Sequence, residues 1–197
     1  MVNSLDEIVE KLKEDERNQS YTERGISPIF QISPKARILI IGQAPGKKVE
    51  ETGIPFNDKS GERLMDWMGI SRDVFYSEKV AIMPMDFYYP GKAKTGDLPP
   101  RPFIAKEYHK ALRSEMPEIG LTILSGGYST HYYLKRREQK NLTETVKAFR
   151  DYLPEYFPIV HPSPLNNIWL KKNPWFEEDV VPELRKRVKA VLEKGIY

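Results

Sequence analysis

Two short polar turns hold the side chains best suited to chemistry, and each directly follows an apolar run. Gly42-Gln43-Ala44-Pro45-Gly46 comes after Ile38-Leu39-Ile40-Ile41, and His161-Pro162-Ser163-Pro164-Leu165-Asn166 comes after Tyr156-Phe157-Pro158-Ile159-Val160. Together they offer an imidazole, a primary amide and several backbone N–H groups. Pro45 fixes its own φ and removes a donor, while Gly46 lets another group approach the backbone closely. Short unbroken apolar runs are buried strands, and ligands of open α/β sheets bind just past the carboxyl ends of strands. The two turns therefore form one candidate site, with Phe56 and Asn57 between them in sequence. The same residues also suit plain strand-to-loop turns, which Gly and Pro punctuate, and a His there can simply close a turn on backbone carbonyls.

Four strands must position these turns: Ile38–Ile41, Lys79–Met83, Leu121–Leu124 and Tyr156–Val160, the last at a sheet edge because Pro158 cannot donate to a ladder. Helices are expected between them. Ser4 and Glu7 make a capping box for a helix reaching about Gln19, with an apolar stripe of Leu5, Ile8, Val9 and Leu12. Lys47–Asp58 reads as a charged loop, so no helix opens directly on the first turn. Ser60 is expected to cap a helix over Gly61–Met68. Further helices are expected over Phe103–Met116, Tyr128–Lys135, Leu142–Arg150 with Asn141 as cap, and Glu177–Lys194, where Pro182 is tolerable in the first turn. Strands alternating with helices predict a three-layer α/β/α domain around a four-stranded parallel sheet, spanning residues 1–197 as one unit.

The composition bounds the chemistry. The chain has 197 residues, 30% charged and 40% hydrophobic, with a formal net charge of +3; that is ordinary for a globular domain and compatible with nucleic acid. It has no Cys, which excludes disulfides, thiolate nucleophiles and Cys-ligated clusters. His109, His131 and His161 form no pair at metal-ligand spacing. No metal site and no cofactor are expected. No apolar stretch is long enough for a membrane span, and the acidic N-terminus lacks the pattern of a signal peptide, so a cytoplasmic protein is expected. A monomer is the expectation for oligomeric state.

GQAPG, followed by EETGIPFNDKSG and a late HPSPLN, resembles the uracil-DNA glycosylase superfamily. The first segment is similar to the thermostable iron–sulfur branch, and HPSPL is similar to the classical branch; the resemblance covers roughly residues 36–170 in order and spacing. It implies a uracil-DNA glycosylase-like fold and hydrolysis of the N-glycosidic bond of uracil, or of another deaminated or damaged base, in DNA. It implies that His161 stabilises the departing base, that Phe56 stacks on it, and that Gln43, Ala44, Gly46 and Asn57 line its pocket. Ser163, Leu165, Asn166, Lys171 and Lys172 would meet DNA, with Leu165 as an apolar wedge. There are departures. The four cluster cysteines are absent. The classical branch has an Asp where this chain has Ala44, and the iron–sulfur branch has an acid at Gln43. The water-positioning acid is then sought among Glu50, Glu51, Asp58 and Asp86, with Glu50 or Glu51 preferred. The end of the second strand offers Glu78 or Lys79 in place of a base-reading Asn.

Two other readings stay open. One is a catalytically silent binder of a nucleobase or damaged DNA on the same fold, favoured by Ala44 and Gln43. The other is an enzyme acting on small nucleosides or nucleotides, compatible with the modest charge.

Overall fold

The computed structural model of the protein describes residues 5–193. Helices α1 (Leu5–Glu14) and α2 (Gln19–Glu23) lead into β1 (Ile38–Ile41). Helices α3 (Lys47–Thr52), α4 (Lys59–Met68) and α5 (Arg72–Phe75) precede β2 (Val80–Ile82), and α6 (Pro102–Ser114) leads to β3 (Leu121–Ser125). Helices α7 (Gly127–Leu134) and α8 (Leu142–Lys147) precede β4 (Tyr156–Ile159), and α9 (Asn167–Lys172) and α10 (Val181–Glu193) follow it. The sheet is four-stranded and entirely parallel, as expected; its order is β2-β1-β3-β4, and Pro158 lies in the edge strand β4.

Alternation along β1 divides the core into two halves. Ile38 and Ile40 pack with Leu64, Trp67 and Met68 of α4 and with Leu184 and Val188 of α10. Leu39 and Ile41 pack on the opposite face with Ile8 and Leu12 of α1, Ile104 and Leu112 of α6, and Leu134 of α7. Burial on both faces explains why the strands are continuous apolar runs rather than alternating ones. Strand order reverses on either side of β1, and that reversal opens a crevice at the carboxyl ends of the strands.

Several local expectations change. Ser4, the expected first cap, lies outside the described residues. The helix expected to reach Gln19 stops at Glu14, where Asp15 caps a short 3-10 turn. Residues 47–52 are helical rather than loop: Gly46 is the N-cap and Gly53, at φ 68°, ends the helix in the left-handed region that favours glycine. A helix thus does open on the first turn. Asp58, not Ser60, caps α4, because its extended backbone lets Oδ1 accept from Gly61 N–H at 3.0 Å. The last expected helix begins with a π-helical turn, Phe176–Val180. Asp86 is fully buried and bonded to the Arg101 guanidinium at 2.8 and 2.9 Å, so it ties the 84–102 segment to the core.

The tightest backbone constraint lies between β1 and α4. A Cβ at position 61 would fall 1.7 Å from the carbonyl oxygen of Phe56, and one at position 42 would fall 3.0 Å from the Phe56 ring. Gly61→Ala is expected to destabilise the protein by about 2–3 kcal/mol, since its neighbour is backbone that cannot rotate away. Gly42→Ala is expected to cost about 1 kcal/mol, because a ring can shift. Urea denaturation of the two variants beside the wild type measures both.

Candidate active site

A cavity of about 420 Å³ lies where the first turn, the Phe56 segment and the 161–166 segment meet. Its lining comes from three stretches: Gly42 to Gly46; Val49, Pro55, Phe56, Asp58 and Ser60; and His161, Ser163, Leu165 and Asn166. Two turns some 120 residues apart thus share one cavity because β1 and β4 both flank β3 in a parallel sheet.

Phe56 adopts φ 55°. The left-handed region is costly for a bulky aromatic residue, by roughly 1–2 kcal/mol. The conformation persists because its neighbours enforce it. The ring rests on Gly42 and meets Phe75 edge-on at 6.3 Å, and the Phe56 carbonyl accepts from Asp58 N–H at 2.9 Å. The aromatic side chain thereby lines the cavity at the end of β1.

His161 is held from several sides. Its carbonyl accepts from the Asn166 side chain at 2.7 Å. Its ring nitrogen Nδ1 accepts from Ser163 N–H at 3.2 Å, which in the neutral imidazole leaves the proton on Nε2. Gly126, at φ 92°, packs against the His161 side chain, and a Cβ there would lie 3.4 Å from that of His161. Burial pushes the His161 pKa below its ordinary value, and the Asp58 carboxylate opposes that shift. At neutral pH the cavity is therefore lined by an uncharged imidazole with one N–H to donate.

The remaining candidates separate clearly. Gln43, Ala44, Gly46, Ser163, Leu165 and Asn166 all line the cavity. Asn57 does not: its Oδ1 accepts from Arg72 at 2.8 Å. Glu50 also lies off the cavity, with Oε1 3.7 Å from Arg24 and Oε2 buried without a hydrogen-bond partner, and Glu51 is exposed to solvent. Glu78 pairs with Lys35. Leu165 is 84% exposed and Ile168 is 69% exposed, and Lys171 and Lys172 sit exposed on the same short helix. Trp169 is half-buried, donating from Nε1 to Thr143 Oγ1 at 3.0 Å.

Some lining residues were not singled out by sequence reasoning. Pro84, just past β2, occupies the strand end where an amide was sought. It is followed by a small hairpin, closed by Ala93 N–H to Gly96 O and Leu98 N–H to Gly91 O, that contributes Lys92, Gly96 and Asp97 to the wall. Arg63 of α4 donates to Ser163 O at 3.1 Å and Asn167 Oδ1 at 2.8 Å, fixing the second turn to α4. A lone Arg on a helix carries no sequence signal for such a tether; the Gly91 and Gly96 spacing of the hairpin does.

Residues 29–185 match the family model of the Uracil DNA glycosylase superfamily, and the chain belongs to that superfamily. Among solved structures, it is similar to the solution NMR structure of a candidate uracil DNA glycosylase from Methanosarcina acetivorans, at 13% identity and a TM-score of 0.47. That match covers 81% of this chain and 98% of the other. Among the described residues no helix is long and apolar enough to cross a membrane.

The wall at Pro84 depends on a second buried histidine. Pro84 O can only accept, so His109 Nε2 donates to it at 2.9 Å, and Nδ1 accepts from Tyr133 OH at 2.7 Å. Burial pushes the His109 pKa down to about 4. Because this lies below the unfolded value of about 6.5, the unfolded chain takes up the proton first as pH falls. Stability should therefore be full above pH 6.5 and decline toward pH 4, by about 3 kcal/mol at most from this residue. Denaturant titrations from pH 7 to pH 4 should show a shallower decline in His109→Gln than in the wild type.

Proposed function

We propose that this protein hydrolyses the N-glycosidic bond of uracil, or of another deaminated or damaged base, flipped out of DNA into the cavity. The observation that carries the reading is the His161 imidazole, its Nδ1 occupied as acceptor by Ser163 N–H so that Nε2 is left to donate, sharing a cavity with the Phe56 ring. Breaking a glycosidic bond leaves negative charge on the base, and a fixed N–H donor directed at a base carbonyl stabilises that charge as it develops. Neutrality suits this role, because an uncharged donor is buried without the desolvation cost of a cation, and its partner Nδ1 is kept as acceptor by Ser163. Phe56 stacks on the extruded base. Gln43, whose side-chain amide makes no hydrogen bond among the described residues, reads a base edge with its paired donor and acceptor. Leu165 fills the gap left in the duplex, and Ser163, Lys171 and Lys172 take phosphates. A second reading, a binder that holds such a base without cleaving it, is favoured by Ala44, which puts no acid in the first turn.

The deciding assay follows abasic-site formation in labelled oligonucleotides carrying uracil, hypoxanthine or xanthine, single-stranded and duplex. Release by the wild type that falls about 10²-fold or more in His161→Ala, the size expected for losing one such donor, is the expected result. Salt-sensitive DNA binding with no release from any substrate would establish the binder instead.

A further inference from the structure

The cavity holds a carboxylate that the proposed chemistry has not yet used. Asp58 and Asp97 are the two acids in its wall. Asp97 sits on the hairpin, accepts from Tyr89 OH at 3.2 Å and lies 4.0 Å from the Lys92 ammonium. Asp58 has no cation within ion-pair distance among the described residues. Its carboxylate is nonetheless fixed: Oδ1 accepts from Gly61 N–H at 3.0 Å as the cap of α4, and Asp58 N–H donates to Phe56 O at 2.9 Å. Oδ2 accepts no hydrogen bond from the described residues. Phe56 and His161 line the same cavity, and Asp58 is the charged group whose field acts on His161. The result is a fixed carboxylate, without a counter-ion among the described residues, two residues from Phe56 and lining the same cavity as the imidazole.

We propose that Asp58 is a catalytic residue, a carboxylate that orients the attacking water and stabilises the cationic sugar; this rests on the glycosylase reading above. The glycosidic bond breaks with its electron pair passing to the base, where His161 Nε2–H meets the negative charge. The oxygen of water bonds to the anomeric carbon. Its proton passes to the free oxygen of Asp58 and from there to the released base, so that water is consumed and the neutral base and a sugar hydroxyl are produced. A carboxylate has two features that suit it to this place. It attracts the positive charge that develops on the sugar, and it is already immobilised by the cap, so nothing need reorganise as the charge forms. Glu50 and Glu51 cannot share the role from where they stand, since neither lines the cavity.

The cap makes the test clean. Asn and Ser cap helices about as well as Asp, so Asp58→Asn and Asp58→Ser keep the bond to Gly61 while removing the charge. Single-turnover base release is measured with the substrate on which the wild type is most active, beside the dissociation constant for the same DNA and the melting temperature. The expected result is a rate lower by about 10²-fold or more in both variants, within the range for losing a general base, with DNA affinity and melting temperature nearly unchanged. A wild type that releases base while Asp58→Asn stays within about threefold of it would overturn the assignment and leave the glycosylase reading intact. Equal losses in rate, affinity and melting temperature would make Asp58 a structural cap and also overturn it. A wild type inactive on every base would overturn the glycosylase reading itself, and the assignment with it.

Discussion

The site depends on the contact of Phe56 with two glycines. Gly42 ends the central strand and Gly61 sits in the first turn of α4; both lack the Cβ that would collide with Phe56. That contact locks a loop to the sheet from both sides and holds a non-glycine residue in a left-handed conformation. Strain of this kind survives only where the surroundings over-determine it, and it clusters at sites that need a side chain in one place. Its consequences run outward through α4. Asp58 caps that helix three residues before Gly61, and Arg63, further along the same helix, ties the 163–167 segment to it. The two polar turns, brought together by the sheet, are therefore braced by one packed ring and one helix as well.

Electrostatics within this frame favours uncharged donors deep in the fold and charges at the rim. His161 and His109 are both pushed toward neutrality by burial, and in each the bond made by one ring nitrogen decides which nitrogen carries the proton. Asp86, the one fully buried carboxylate among the described residues, is matched by Arg101 at close range, as a buried charge requires. Lys92, on the hairpin that lines the cavity, and Lys171 and Lys172 on α9 stay in solvent. A formal charge of +3 spread over the whole chain says little, because what matters for a polyanion is where unpaired cations sit.

The sheet was legible in the sequence because buried parallel strands are unbroken apolar runs, and Ile38–Ile41 and Leu121–Leu124 look like nothing else. Both polar turns could be placed for the same reason: each begins where such a run stops. The failures share a cause as well. Helix α3 is six residues long with one buried side chain, Val49, too short for an apolar stripe to register. Asp58 and Ser60 are equally good caps by residue type, and the choice between them is made by backbone geometry that Phe56 imposes. The direction of Glu50 follows from Arg24, on a segment 26 residues earlier, and no local pattern encodes that pairing.

That last failure bears on the chemistry. Position 44 carries a methyl group and so puts no acid in the first turn, and Glu50, the nearest acid along the chain that is largely buried, does not line the cavity. On the proposed reading, a charge near the scissile bond has then to come from elsewhere in the lining, and the start of α4 supplies an acid fixed by a backbone bond rather than by a counter-ion. A full counter-ion would have cancelled most of the field the sugar feels, whereas an N–H at a helix start holds one oxygen with only a partial positive charge. On the proposed reading, stacking ring and carboxylate are then two residues apart on one strained turn, and the imidazole lines the same cavity. Any movement of that turn changes the grip on the base and the position of the charge together, so the two functions cannot be adjusted independently in this chain.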